Sequence, residues 1–146
     1  MSEQATNPEN PTIVTAIGEV LWDVFPTGAR FGGAPANFAC TVAGLCDDQT
    51  EVHMVSAVGQ DELGSHAITA LQQHHVRTES VAEQRQPTGR VLIALDDSGS
   101  ASYQFEDNCA WDNLAWTEKT SALAKRCDAV CFGCLLYTSP SPRDPE

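Results

Sequence analysis

The chain has 146 residues, enough for one domain, and its 42% hydrophobic and 19% charged content is that of a globular protein, not a disordered one. Eight basic residues stand against 20 acidic ones, a formal net charge of −12. That balance argues against nucleic acid or an anionic membrane surface as partner, because neutralising phosphate takes Lys/Arg clusters, but not against a nucleotide, whose phosphates backbone N–H groups and a metal ion can hold.

Residues 1–11 are polar, with two prolines and no apolar core, and read as a disordered lead-in rather than a signal peptide. No apolar run approaches the ~20 residues of a membrane span, so a cytoplasmic location is expected. Residues 12–18 form a short apolar run closed by Gly18, a central strand. Residues 20–31, broken by Pro26 and Gly28, predict a small excursion of strands or loop. Ala39, Val42, Ala43 and Cys46 recur at helical spacing over 34–46, with Phe38 and Leu45 widening the apolar face. A second buried strand is expected over 52–58. Asp61 is a suitable N-cap for a helix running to about His74, with Leu63, Ala67, Ala70 and Leu71 inward. This alternation predicts an α/β fold with parallel pairing and right-handed crossovers. Residues 90–95 and 101–105 alternate apolar and polar around the turn Asp96-Asp97-Ser98-Gly99-Ser100, a β-hairpin. Thr117 caps a helix to about Lys125, and residues 128–133 start another parallel strand.

The most informative stretch is Phe31-Gly32-Gly33-Ala34-Pro35-Ala36-Asn37. Glycines let backbone approach a ligand closely, and Pro35 suits a first helical turn. The helix N-terminus then offers free N–H groups and positive dipole character. Asn37 carries both a donor and an acceptor, which suits a sugar diol. Asp23 follows an apolar run at the carboxyl end of a strand, where α/β sheets place ligands, and its carboxylate can accept from two neighbouring hydroxyls. The alternatives are plain: Asp23 as a turn aspartate, Gly32 and Gly33 as a tight turn, Asn37 as a helix-start residue.

Five ordered segments carry a family resemblance: residues 18–26, 32–37 and 55–64, then Pro87-Thr88-Gly89 and Ala110-Trp111-Asp112. The chain resembles the ribokinase-like (PfkB) carbohydrate kinases, and within them the bacterial fructokinases, over roughly residues 13–133. The resemblance implies a three-layer α/β/α fold with a mostly parallel sheet plus a small β lid. It implies ATP-dependent phosphorylation of a sugar, most simply fructose, with ATP and Mg²⁺ as cofactors and Asp23, Gly32, Gly33, Asn37 and Gly89 binding the substrate. The hairpin corresponds to the lid, which in some members also makes a homodimer contact. Gly89 fits either lid backbone near substrate or a strand-entry glycine. Another sugar or a nucleoside as substrate, or a non-catalytic sugar-binding or dimerising module, are the competing readings.

The family's second signature, a Gly-Ala-Gly-Asp type loop carrying the catalytic base and the entrance to the ATP site, is not in this sequence. No catalytic residue and no metal ligand is therefore assigned, and the chain is expected to be the N-terminal, sugar-binding part of such an enzyme, inactive alone. Residues 134–144 lack helical or strand period, carry Pro140 and Pro142, and match the in-frame translation of a transposase-type sequencing adapter. Residues 134–146 are expected to be an adapter-derived tail. The six cysteines read as free thiols. Cys127, Cys131 and Cys134 match an iron–sulfur spacing, against which Cys131 falls in a strand-like run and Cys134 in the tail. His74 and His75 are adjacent and face apart on a helix, which argues against a shared metal.

Overall fold

The computed structural model describes residues 10–133. In chain order the strands are β1 Thr12–Ile17, β2 Leu21–Phe25, β3 Gly28–Gly32, β4 Thr50–Gly59, β5 Val76–Gln84, β6 Gly89–Leu95, β7 Ala101–Phe105 and β8 Ala129–Phe132. The helices are α1 Ala34–Leu45, α2 Glu62–Gln73 and α3 Glu118–Ala124, with a 3-10 turn at Ala110–Asn113. A main sheet runs β5-β4-β1-β8, all parallel. A smaller sheet runs β3-β2-β6-β7.

Successive strand residues face opposite sides of a sheet, and the main sheet's two faces take different helices. Ala16, Val52, Met54 and Val58 pack against Ala36 and Ala39 of α1 and Ala67 and Leu71 of α2. Ile13 and Val55 pack against Leu123 of α3 on the other side. The fold is thus the expected three-layer α/β/α arrangement. Leu71 is fully buried, worth about 2 kcal/mol in transfer terms.

One expectation needs correction, and two edge strands add to the reading. Leu45 does not widen the apolar face of α1: it is 82% exposed. Burial in α1 is confined to Pro35, Ala36 and Ala39, and a side chain added at Gly44 would meet nothing, so the last turn overhangs the sheet. Strand β5 was not anticipated, because Arg77, Glu79 and Glu83 alternate with half-buried residues on an edge strand that, among the described residues, pairs with β4 alone. Residues 129–132 form the expected parallel strand, and among the described residues β8 is the edge of the main sheet, with Val130 and Phe132 49% and 58% exposed. The tail expected over 134–146, and Cys134 with it, lies outside the described residues, as does most of the lead-in.

The excursion after Gly18 and the later hairpin belong to one small sheet. β2 pairs antiparallel with β3 and parallel with β6, and β6 pairs antiparallel with β7. The chain turns out of the main sheet at Gly18, whose carbonyl accepts a 2.6 Å hydrogen bond from the buried Ser56 hydroxyl. It returns at Gly33, the residue preceding α1. The junction of the two sheets is therefore built from the segments that the sequence marks as functional.

Candidate functional site

Gly32 lies opposite Leu21 in the β2–β3 pair, and Leu21 lies beside Gly89 in the β2–β6 pair. The two glycines thus occupy one row across the small sheet. Asp23 sits two residues along β2 on the same face. A Cβ built on Gly32 would stand 2.7 Å from Asp23 Oδ2, so the Asp23 carboxylate lies over the bare Gly32 backbone. Burial pushes the Asp23 pKa above its ordinary value. Asp23 is half-buried, and none of the hydrogen bonds found among the described residues uses its carboxylate oxygens as acceptors, so they have acceptor capacity for a ligand.

Gly33 has φ +105°, a backbone region that favours glycine. A Cβ there would overlap the Glu19 carbonyl oxygen and stand 3.1 Å from its carbon. Close approach to the β1–β2 crossing and positive φ both require glycine here. Gly33 is the N-cap of α1 without a side-chain cap, and no acidic residue sits in the first turn. The amide of Asn37 donates to Gly33 O at 2.8 Å, the first helical bond, while its side chain is exposed. The helix end thus presents N–H donors and dipole beside Asp23's element.

Gly89 has an internal reason to lack a side chain. A Cβ would stand 2.6 Å from Trp111 Nε1 and 3.3 Å from Leu21 Cβ. Trp111 is buried in the 3-10 turn, which Asp112 closes by accepting from the Cys109 backbone N–H and thiol, both at 3.3 Å. Asp112 thus caps the turn it belongs to. Burial and the Asp112 carboxylate push the Cys109 thiol pKa up to about 12.

A cavity of about 560 Å³ lies elsewhere, between β5 and α3, lined by residues such as Ser80, Ala82, Leu114 and Thr120. None of the five predicted site residues lines it. The sequence reading did not anticipate the links that hold the small sheet in place: Trp22 Nε1 donates to the Leu63 carbonyl at 3.0 Å, and Asp61 accepts twice from Thr88. Gly59, Asp61 and Thr88 lie within the matched segments, but no local pattern shows that residues 27 positions apart meet.

The two-sheet α/β architecture, with a glycine-lined junction at a helix N-terminus, defines a ribokinase-like fold. Residues 13–139 match the pfkB family of carbohydrate kinases, and the chain belongs to that family. Fructokinase-2 of Zea mays is 29% identical over 141 residues, covering 87% of this chain and 41% of the relative. The crystal structure of a fructokinase with bound ATP from Xylella fastidiosa is 26% identical with TM-score 0.72, covering 88% of this chain and 41% of that one. That of a sugar kinase from Pyrococcus horikoshii in complex with ATP is 26% identical with TM-score 0.67, covering 82% and 42%. The chain therefore spans about two fifths of the length of the relatives it matches. No helix among the described residues is long and apolar enough to cross a membrane.

Proposed function

We propose that this chain is the sugar-binding and lid part of an ATP-dependent sugar kinase, with fructose the first candidate substrate. The carrying observation is the juxtaposition of Asp23 with Gly32, beside Gly33 and the open N-terminus of α1. Asp23 accepts from two sugar hydroxyls, Asn37 donates and accepts at a third position, and the bare backbone of Gly32 and Gly33 lets the ring approach. Gly89 contributes position rather than a side-chain contact, setting where β6 enters the site. Covering the sugar with the small sheet excludes water, so that the phosphoryl group passes to the sugar.

Phosphoryl transfer also needs a base for the attacking hydroxyl and a cation with N–H donors around the transferring group. In this proposal Mg²⁺, ATP and the base belong to the second family signature, not to this chain, and the enzyme works in the cytoplasm. Exposed Leu92, Leu95, Tyr103 and Phe105 on β6 and β7 support a homodimer contact through the lid. In a chain extended to the family's full length, Asp23→Ala and Asn37→Ala each weaken sugar binding by roughly 1–3 kcal/mol and leave ATP affinity unchanged. A panel of sugars and nucleosides in an ATP-consumption assay identifies the substrate, and this chain alone gives no turnover. Normal sugar binding by both variants would refute the site.

A further inference from the structure

We propose that the first turn of α2 is the fulcrum on which the small sheet is set, with Asp61, Thr88 and Trp22 as positioning residues for the strands that carry Asp23 and Gly89. The proposal rests on the sugar-site reading above for its functional consequence, but not for its geometry.

An N-cap needs one acceptor. Asp61 Oδ1 fills that role by accepting from Gly64 N at 2.8 Å. The remaining acceptor capacity goes elsewhere. Oδ1 also accepts from the Thr88 hydroxyl at 2.6 Å, and Oδ2 accepts from the Thr88 backbone N–H at 2.9 Å. Thr88 Oγ1 in turn accepts from Gly59 N at 2.9 Å. Serine or threonine could cap the helix; only a carboxylate or its equivalent engages both donors of Thr88 as well. Thr88 is 1% exposed, so its hydroxyl and N–H meet little competing water, and the Gly59–Thr88 bond is fully buried.

The packing around the latch leaves no slack. A Cβ at Gly59 would stand 2.6 Å from Thr88 N and 2.8 Å from Gln86 O, and one at Gly64 would overlap Gly59 O and stand 3.0 Å from Thr88 Oγ1. Desolvation pushes the Asp61 pKa up, but the hydrogen bonds from Thr88 and Gly64 and the charge of Arg90 outweigh it, and the pKa lies below its ordinary value. The group is a carboxylate at neutral pH.

A second link reaches the same turn. Trp22 Nε1 donates to Leu63 O at 3.0 Å. Each linking residue directly precedes a site residue: Trp22 precedes Asp23 on β2, and Thr88 precedes Gly89 on β6. β2 and β6 are neighbours in the small sheet, so one link on β2 and one at the residue leading into β6 fix its angle to the main sheet. Gly33, the N-cap of α1, and Asn37 in its first turn belong instead with the helix packed on the main sheet. The α2 turn therefore sets the distance between the two halves of the site.

The test compares Thr88→Val, Thr88→Ser and Trp22→Phe with the wild-type chain. Thr88→Val keeps the shape and removes the hydroxyl that bridges Asp61 and Gly59. Trp22→Phe removes the indole donor and keeps an aromatic ring against Phe31. Amide hydrogen exchange is followed by NMR, and fructose affinity by calorimetry. Thr88→Val is expected to speed exchange in β2 and β6 about tenfold more than in β4 and to weaken fructose binding about tenfold, one lost buried hydrogen bond. Thr88→Ser is expected to stay within about twofold on both counts, and Trp22→Phe to repeat the Thr88→Val pattern should that variant not fold. Exchange that rises equally in both sheets, with fructose affinity unchanged, would show merely structural bonds and overturn the proposal. Absence of fructose binding by the wild type would defeat the sugar-site reading, and the exchange comparison alone would then decide the fulcrum.

Discussion

Two neighbouring glycines predict opposite outcomes for the same substitution. At Gly33 an alanine meets backbone: its Cβ overlaps the Glu19 carbonyl oxygen at φ +105°. That segment cannot retreat, because Ser56 holds the adjacent Gly18 carbonyl at 2.6 Å. Backbone strain and overpacking together give a loss of about 3 kcal/mol or more for Gly33→Ala. At Gly32 the obstacle is Asp23 Oδ2, 2.7 Å from the new Cβ, with Leu21 Cδ1 at a comfortable 3.7 Å. The carboxylate must swing away by about 0.7 Å to reach ordinary contact. A strand glycine replaced by alanine recovers about 0.5–1 kcal/mol of backbone entropy, which offsets the off-rotamer cost, so Gly32→Ala stays within about 1 kcal/mol of wild type. The same swing takes the carboxylate out of hydrogen-bonding range of a bound sugar, weakening fructose binding about tenfold or more. Urea denaturation and calorimetric titration of both variants check this. Wild-type stability in Gly33→Ala would refute the backbone geometry, and wild-type fructose affinity in Gly32→Ala would refute Asp23 as a sugar ligand.

Burial raises the Asp23 pKa above the ordinary 3.8, so fructose affinity should begin to fall, as pH drops, sooner than an ordinary aspartate would allow; Asp23→Asn should be flat over that window, and equal pH profiles would contradict it. The stability terms of the two aspartates have opposite signs: the depressed Asp61 contributes stability above the ordinary value that is lost as pH falls through its folded pKa, whereas Asp23 becomes less unfavourable as pH falls through its own. Cys109, buried and with its thiol pushed to about 12, should resist iodoacetamide at neutral pH while exposed Cys46 is alkylated, as peptide mass spectrometry would show; early labelling of Cys109 would contradict its burial. Exposed Val130 and Phe132 on the edge strand β8 predict concentration-dependent self-association by light scattering, reduced by Val130→Lys; a monomer at all concentrations would count against it.

Much of the architecture was legible because its signals are local. Asp61 and Thr117 cap the helices they were expected to cap, the apolar runs in β1 and β4 fill the centre of the sheet, and the Asp96–Ser100 turn closes the β6–β7 hairpin. β5 was hidden because an edge strand needs no continuous apolar run. The joining of two hairpins into one sheet, through the parallel β2–β6 pair, depends on contacts about 68 residues apart that no periodicity encodes. The candidate site residues were visible as residue types, but Gly89's fit to Trp111 and the Asp61–Thr88 latch are tertiary facts.

The most direct test is an amide NMR titration of this chain with fructose and a panel of other sugars. The account predicts shifts concentrated at Asp23, Gly32, Gly33 and Asn37, abolished by Asp23→Ala. Shifts confined to the cavity between β5 and α3, or no shift with any sugar, would contradict it.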